Sequence, residues 1–488
     1  MRILQVSAEI FPILKTGGLA DVTGALPGAL VRAGCDVRAL LPGFPAVMSA
    51  LADPQFVGQI TMAWNEPVRI LRGYLSGVNG AAGGLPTYVL DAPRLYDRPG
   101  NPYEDEYRQP YSDNHRRFAA LGWAAAHVAY GLDPDWAPEV VHGHDWHAGL
   151  AAACLRTWGD GRPRVPCVFT VHNLAYQGLF APYNFGDLGL PAWMYRVDGV
   201  EFYGQISFMK AGLNFSDQIT TVSPTYALEI QSPEQGWGLD GLLRWRRNAL
   251  RGILNGVDET VWDPASDPLI GHPFEQRQMR GKAACKHELQ RECGLAQRSD
   301  APLFAVVSRL TEQKGLPLVL AAVDEITGNG GQLLVLGSGD YALEQAFAAQ
   351  ARQRDGEVAL HLGYNEVLAH RVFAGSDISL VPSLFEPCGL TQMYGLKYGS
   401  LPLVRRVGGL ADTVVDTDLA SLADRTANGF VFGPFTEDAY RHAVRRAFAL
   451  FRRRTEWARV RQYGMGQSFG WDEPAAQYVA LYRQVIGE

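Results

Sequence analysis

Glu386 stands in the run SLFEPCGLTQMYGLKYG, and the residues around it present two chemical faces. An apolar, β-favouring stretch (Ile378 to Val381) precedes it, and a turn runs from Pro382 to Pro387. A helix is predicted from Gly389 onward. The first N–H groups of such a helix, on Gly389, Leu390 and Thr391, suit an anion. A carboxylate beside a bound phosphate is repelled by it, so Glu386 fits better as an acceptor of hydrogen bonds from hydroxyls. Anion on one side and hydroxyls on the other describe a sugar phosphate. A second reading fits equally well: Glu386 as a helix-end carboxylate that only favours the dipole.

Other candidates stand where apolar strands end. KTGGLAD follows the first strand, which runs into Glu9; Gly17 and Gly18 open a helix, and Lys15 supplies a point charge for a phosphate. The lysine precedes the glycines, so this is not a Walker A loop, and a plain glycine turn is the alternative. Asp21 lies one helical turn in, able to bond an acceptor hydroxyl or to favour the helix N-terminus. VVHGHDWHAG places His142, His144 and His147 together like a metal-ligand cluster. Zinc hydrolases use a comparable HxHxDH run, but here Asp145 and Trp146 are in swapped order and no further ligand set follows. A polar strand-end loop with Asp145 lining a cleft is favoured, and no metal is expected. His172 ends the strand of FTVHN, either as a neutral hydrogen-bonding group in the cleft or as a packed histidine, and its place at the strand's carboxyl end favours the cleft. Farther on, SRLTEQKG puts Arg309 and Lys314 at a strand end, a pair able to clamp a diphosphate. LLVLGSGDYA has GxGxxA spacing, yet the next strand ends in Gly363 rather than an acid, so a dinucleotide fingerprint is incomplete. Tyr364, just beyond, is placed to stack on or bond a base.

These residues need a scaffold that gathers strand ends. Apolar strands are predicted at Arg2–Ala8, Asp36–Leu41, Thr87–Asp91, Val140–His144, Cys167–Val171 and Gln218–Val222. The pattern restarts at Leu303–Ser308, Leu333–Leu336, Val358–Leu362, Ile378–Val381 and Leu401–Val404. Helical stretches lie between them, which indicates α/β architecture with parallel sheets covered on both faces. The length of 488 residues also calls for more than one core. The joint is expected in the turn-rich NGVDETVWDPASDP, giving domains 1–257 and 258–465 followed by a terminal helix in 466–488. Residues 50–110 read as a less regular insertion. In open α/β sheets ligands sit beyond the carboxyl ends of the strands, which places the active cleft between the domains.

Composition removes several classes of function. A net charge of −7 and a pI near 5.9 argue against nucleic acid, and no basic block suggests a membrane surface. Six cysteines without a CxxC pair suit buried thiols in a reducing compartment. With no secretory pattern at the start and no bilayer-length apolar run, a cytoplasmic location is expected.

KTGGLADV, HDWHAG, TVHNLAYQG, TTVSPTYA, ILNGVD, SRLTEQKG, EPCGLTQ and VRRVGGLADTV resemble, in family order, the signature blocks of bacterial glycogen synthases and plant starch synthases. The resemblance implies a GT-B fold of two Rossmann-like domains and transfer of glucose from ADP-glucose to the non-reducing 4-OH of an α-1,4-glucan, with retention. It implies no cofactor, and a bacterial enzyme, since the plant members carry a transit peptide. By the same resemblance Lys15 and Gly18 contact donor phosphate or glucose, Asn255 approaches the sugar, and Arg309 and Lys314 grip the diphosphate. Glu386 holds the glucose hydroxyls; Gly389, Leu390 and Thr391 donate N–H groups. Cys388 lies in the donor motif without a nucleophilic role. His172 faces the reacting carbon, while Asp21 and Asp145 border the acceptor side. Tyr96, in the inserted segment, is an acceptor-contact candidate or a surface tyrosine. Gly143 stands where the family pattern leads one to expect alanine. Three rivals remain: a metal-dependent hydrolase on the histidines, a non-catalytic polysaccharide-binding protein, and a cousin using UDP-glucose.

Overall fold

The computed structural model describes residues 1–78, 83–157 and 163–487 and divides into two compact units. The first comprises Met1–Gly256 together with the chain from Trp471 onward; the second is Val257–Gly470. The second boundary thus falls after Gly470, where the sequence reading puts it after residue 465. The segment before Trp471 still belongs to the second unit, where the Val257 N–H bonds the Phe469 carbonyl at 2.7 Å.

The first unit is built on a nine-stranded sheet. Named by first residue, its strands lie in the order Leu250, Gln218, Cys167, Val140, Arg2, Asp36, Leu85, Pro67, Leu51. All neighbours pair in parallel from Leu250 to Leu85. Val140–His144 and Cys167–Val171 are buried along their whole length, as strands covered on both faces must be. Chain order reverses between Arg2–Val6 and Val140–His144, which makes their carboxyl ends the switch point where open sheets hold ligands. The region read as an irregular insertion instead extends the sheet: Leu51–Thr61 and Pro67–Leu75 form an antiparallel hairpin on Leu85–Asp91. Leu51–Thr61 carries Pro54 and two register shifts and is mostly exposed, which an edge strand tolerates and which hides it from a hydrophobicity pattern.

The last helix, Asp472–Ile486, belongs to this unit. Its Ala475, Tyr478, Val479, Leu481 and Tyr482 share a core with Val22 and Leu26 of helix Gly18–Arg32 and with Ile3, Val140 and Val168 of the sheet.

In the second unit six parallel strands lie in the order Val358, Gln332, Leu303, Ile378, Leu401, Phe430. That is the doubly wound order 3-2-1-4-5-6, with its switch point between Leu303–Val307 and Ile378–Val381. Lys282, from helix Arg280–Glu292, is buried here and donates to the carbonyls of Phe373 (3.1 Å), Ala374 (3.1 Å) and Tyr398 (2.8 Å). It thereby satisfies carbonyls that helices Glu366–Gly375 and Thr391–Lys397 leave unpaired at their ends.

Candidate active site

At the switch point of the second unit the structure brings Lys314 and Glu386 together. The ammonium of Lys314 lies 2.6 Å from Glu386 Oε2, and the Ser383 hydroxyl donates to the same oxygen at 2.9 Å. Glu386 is only 6% exposed, so its charge is held by these two donors rather than by bulk water. The local chain has the composition needed to bring the two loops so close. Gly315 adopts φ +70°, and a Cβ there would lie 2.0 Å from the Pro382 carbonyl oxygen. The Leu384 N–H donates to the Gln313 carbonyl at 2.8 Å, tying the lysine loop to the glutamate loop. Arg309 leaves the same strand end and is exposed.

The backbone of Glu386–Gly389 is fixed from behind by VGGLADT. The Gly409 N–H donates to the carbonyls of Glu386 (3.3 Å) and Pro387 (3.2 Å). The amide nitrogen of Gln392 bonds the carbonyls of Cys388 (3.1 Å) and Gly389 (2.6 Å) and the Thr413 hydroxyl (3.1 Å). Cys388 is buried, and Gly389 is in the left-handed region at φ +71°. The helix begins at Thr391, with Leu390 as its N-cap residue, two positions later than the sequence suggests.

The glycines of LGSG allow two turns to meet. A Cβ on Gly337 would lie 1.8 Å from the Ser308 carbonyl oxygen, and one on Gly339 would lie 2.4 Å from that of Leu310. They let this turn pack on the turn that carries Arg309, with Leu310 N–H to Ser338 O at 3.0 Å and Asp340 N–H to Leu310 O at 2.8 Å. Tyr364 follows the edge strand Val358–Leu362 and is exposed, its hydroxyl bonded to Glu366.

In the first unit Lys15 and Asp21 form an ion pair at 2.9 Å at the start of helix Gly18–Arg32. Sequence reasoning passed over the group that shapes this loop, Glu9. Its buried carboxylate accepts from Thr16 N–H (2.5 Å), Thr16 hydroxyl (2.6 Å), Gly17 N–H (3.4 Å) and the Tyr103 hydroxyl. A charged residue just past a buried strand was a usable signal; its partner 94 residues away was not. The Tyr103 ring stacks on His147 with centroids 4.6 Å apart.

The histidines form a hydrogen-bonded network. His142 bonds the Tyr482 hydroxyl (2.7 Å) through Nδ1 and the Thr170 hydroxyl (2.6 Å) through Nε2. His144 bonds the Gln5 side-chain carbonyl through Nε2 and His172 Nε2 through Nδ1, the latter at 3.0 Å. Among the described residues no cluster of three or more His, Cys, Asp or Glu side chains is arranged to hold a metal ion. Asp145 follows at φ +60°, a conformation costly for a non-glycine residue and common at functional sites. Its Oδ1 is buried without a hydrogen-bond partner, as is Oδ1 of Asn255, which follows strand Leu250–Gly252. Tyr96 is a correction: it is 1% exposed, neither at the surface nor open to a ligand. Its ring packs edge-on to Phe44, and its hydroxyl donates to the Arg117 carbonyl at 2.7 Å.

Burial sets the protonation of this site. It pushes His142 and His172 down to about 3, and His144 and His147 well below the ordinary 6.5. It pushes the Asp145 carboxyl up to about 8, with backbone N–H groups of Trp146, Asn173 and His172 opposing the shift, so this carboxyl is protonated at pH 7. Below pH 6.5 the unfolded chain binds protons that the folded histidines refuse, so stability falls as pH drops toward 3. Asp145 acts in the opposite sense, binding its proton in the fold between pH 3.8 and about 8, but it is one group against four. The midpoint of thermal unfolding is expected to drop by roughly 4–7 °C per pH unit below pH 6. Calorimetry from pH 7 to pH 4.5 checks this; a flat profile contradicts neutral buried histidines.

Comparison with known proteins agrees with this geometry. Residues 2–245 match the starch synthase catalytic domain family, and residues 294–459 match glycosyl transferases group 1. The chain is 60% identical to a glycogen synthase of Variovorax paradoxus over 490 residues, covering 100% of this chain and 99% of that one. It is 53% identical to a glycogen synthase of Francisella tularensis, with both chains fully covered. The solved catalytic domain of starch synthase IV from Arabidopsis thaliana, bound to ADP and acarbose, superposes with a TM-score of 0.90 at 31% identity, covering 100% of this chain and 99% of that domain. A sucrose-phosphate synthase from Thermosynechococcus elongatus, 18% identical with a TM-score of 0.61, shares the fold; it covers 100% of this chain and 99% of that one. With a doubly wound unit on each side of Gly256 and synthase motifs at the strand ends of both, this chain is a GT-B glycosyltransferase that belongs to the glycogen and starch synthase family.

Proposed function

We propose that the chain transfers glucose from ADP-glucose to the non-reducing 4-OH of an α-1,4-glucan, with retention at the anomeric carbon and release of ADP. The observation that carries this reading is the Lys314–Glu386–Ser383 group at the second unit's switch point, a buried carboxylate beside a fixed cation. Arg309 and Lys314 bear the diphosphate as it gains charge, aided by N–H groups of Gly389, Leu390 and Thr391. Glu386 accepts hydrogen bonds from glucose hydroxyls, with Cys388 and Tyr364 lining the donor pocket. Lys15 and Gly18 serve the donor from the first unit, and Asn255 offers its unbonded Oδ1 to the sugar. His172, neutral at physiological pH, faces the glucosyl carbon as a hydrogen-bonding group rather than a cation. Asp21 and the protonated Asp145 serve the acceptor. That the Arabidopsis relative was solved with ADP and acarbose supports a nucleotide sugar and a glucan as the two substrates.

Retention follows from front-face attack. The bond from the anomeric carbon to the phosphate oxygen breaks, the acceptor 4-oxygen bonds to the same face, and the departing phosphate takes the hydroxyl proton. Double displacement needs a carboxylate on the opposite face, and Glu386 is committed to hydroxyls. Fixed cations do the work a divalent metal does elsewhere, and no cofactor takes part. The six cysteines are free thiols and no described helix is long and apolar enough to cross a membrane, features that support a cytoplasmic place of work. Incubation with glycogen and labelled ADP-glucose or UDP-glucose, with no metal added, is expected to label the polymer from ADP-glucose alone. Label from UDP-glucose only, or no label, overturns the reading.

A further inference from the structure

Two aromatic side chains on the first unit occupy positions where the backbone calls for glycine or asparagine. Strands Glu201–Phe202 and Gln205–Ser207 pair antiparallel through a two-residue turn, Tyr203–Gly204. Both turn residues have positive φ, 46° and 80°. Such hairpin turns select Asn-Gly or Gly-Gly, because a Cβ strains this conformation. Trp237–Gly238 repeats the device, with φ values of 52° and 80°. The two turns touch: a Cβ on Gly238 would lie 3.1 Å from the Phe202 ring and 3.2 Å from the Tyr203 ring. Tyr203 is 79% exposed and Trp237 46%, so a large part of each ring faces solvent over a strained backbone. Strain kept at exposed positions points to function.

The surrounding chain holds these rings in place. The buried amine of Lys210 donates to the carbonyls of Val197 (2.7 Å) and Glu201 (2.5 Å), and the Gly204 N–H donates to the Glu201 carboxylate at 2.7 Å. The Gln177 side chain donates to the Trp237 carbonyl at 2.9 Å. Gln177 belongs to the segment that starts at His172 and carries Tyr176, itself 47% exposed. Arg196 pairs with Asp198 and Arg244 with Asp240, each at 2.7 Å, and the nearest carboxylate, Glu201, is turned back onto the Gly204 N–H. Exposed rings flanked by cations that are already paired with carboxylates fit a neutral ligand with apolar faces and hydroxyl edges. A glucose unit has both, its C–H face meeting the electron-rich ring face.

We propose that Tyr203 and Trp237, with Tyr176, form a stacking platform that holds an α-glucan chain along the first unit, beyond the sugar that receives the new glucose. The proposal rests on the α-glucan acceptor of the preceding section. Glycine at either turn removes the ring and relieves the strain together, so Tyr203→Gly and Trp237→Gly should not lower the unfolding midpoint. Arg425→Gly, at φ +63° in the second unit, is the matched control. The full-length chain is run in native gels with and without glycogen, and initial rates are taken on glycogen and on maltotriose. Loss of one stacking ring is expected to lower the ratio of kcat/KM on glycogen to that on maltotriose about three- to tenfold. The double variant should lose most of its retardation by glycogen. Retardation equal to wild type, or a ratio equal to that of the control, overturns the platform. So does a change in oligomer size without a change in glucan binding, which assigns the rings to a second copy of the chain. If wild type transfers nothing from ADP-glucose, the donor reading fails, while gel retardation still decides this one.

Discussion

Glu386→Ala is expected to lower kcat/KM for glucosyl transfer by about a thousandfold while the fold survives. The carboxylate has two protein donors, Lys314 and Ser383, and sits at the end of the strand that begins at Ile378. Removing it costs the substrate a charged acceptor and frees Lys314 to swing away from the position it keeps for the diphosphate. The Lys314 side chain is 21% exposed, so its unpaired ammonium can still reach water, and the stability penalty stays small. Glu386→Gln keeps the shape and loses the charge, and should lie between alanine and wild type. Label incorporation measures the loss and circular dichroism the fold. Near-normal turnover of the alanine variant would sink the assignment of Glu386 to the sugar.

Gly408→Ala tests the same loop through its backbone. Gly408 has φ +41°, and a Cβ there would lie 1.9 Å from the Glu386 carbonyl oxygen. That oxygen is main chain and cannot rotate aside, so the Glu386–Gly389 segment must shift. A displacement of about 1 Å at a reacting group costs roughly a hundredfold in rate. Overpacking of this kind also costs about 1–3 kcal/mol of stability. Gly433→Ala is the contrast, since nothing lies within 4 Å of a Cβ there and no positive φ is required. Rates and unfolding midpoints of the pair are expected to differ strongly; equal values would show that the loop is soft.

The scaffold was legible in the sequence wherever strands are buried on both faces. Val140–His144, Cys167–Val171 and Ile378–Val381, buried along their whole length, were read to the residue because parallel strands between two helix layers are mostly apolar; the edge strand Val358–Leu362 was read from its apolar start. Leu51–Thr61 was not legible, since an exposed edge strand with a proline lacks that signature. The candidate site was readable as strand ends followed by Gly, Lys, Arg or Glu. What remained hidden depends on contacts between distant segments: Glu9 needs Tyr103, and the LGSG glycines need the turn at Ser308–Leu310. Tyr96 was misplaced for the same reason, its burial being set by Arg117 and Phe44, which local pattern does not connect to it.

The hydrogen bond from Tyr482 to His142 has a bearing on how the molecule is made. Synthesis delivers the whole middle unit before the residues that close the first one have left the ribosome. Until Ala475, Tyr478 and Tyr482 arrive, helix Gly18–Arg32 and the strand beginning at Arg2 face water with apolar side chains uncovered. Unit-by-unit maturation from the amino end is therefore denied to this topology: the half begun first is finished last.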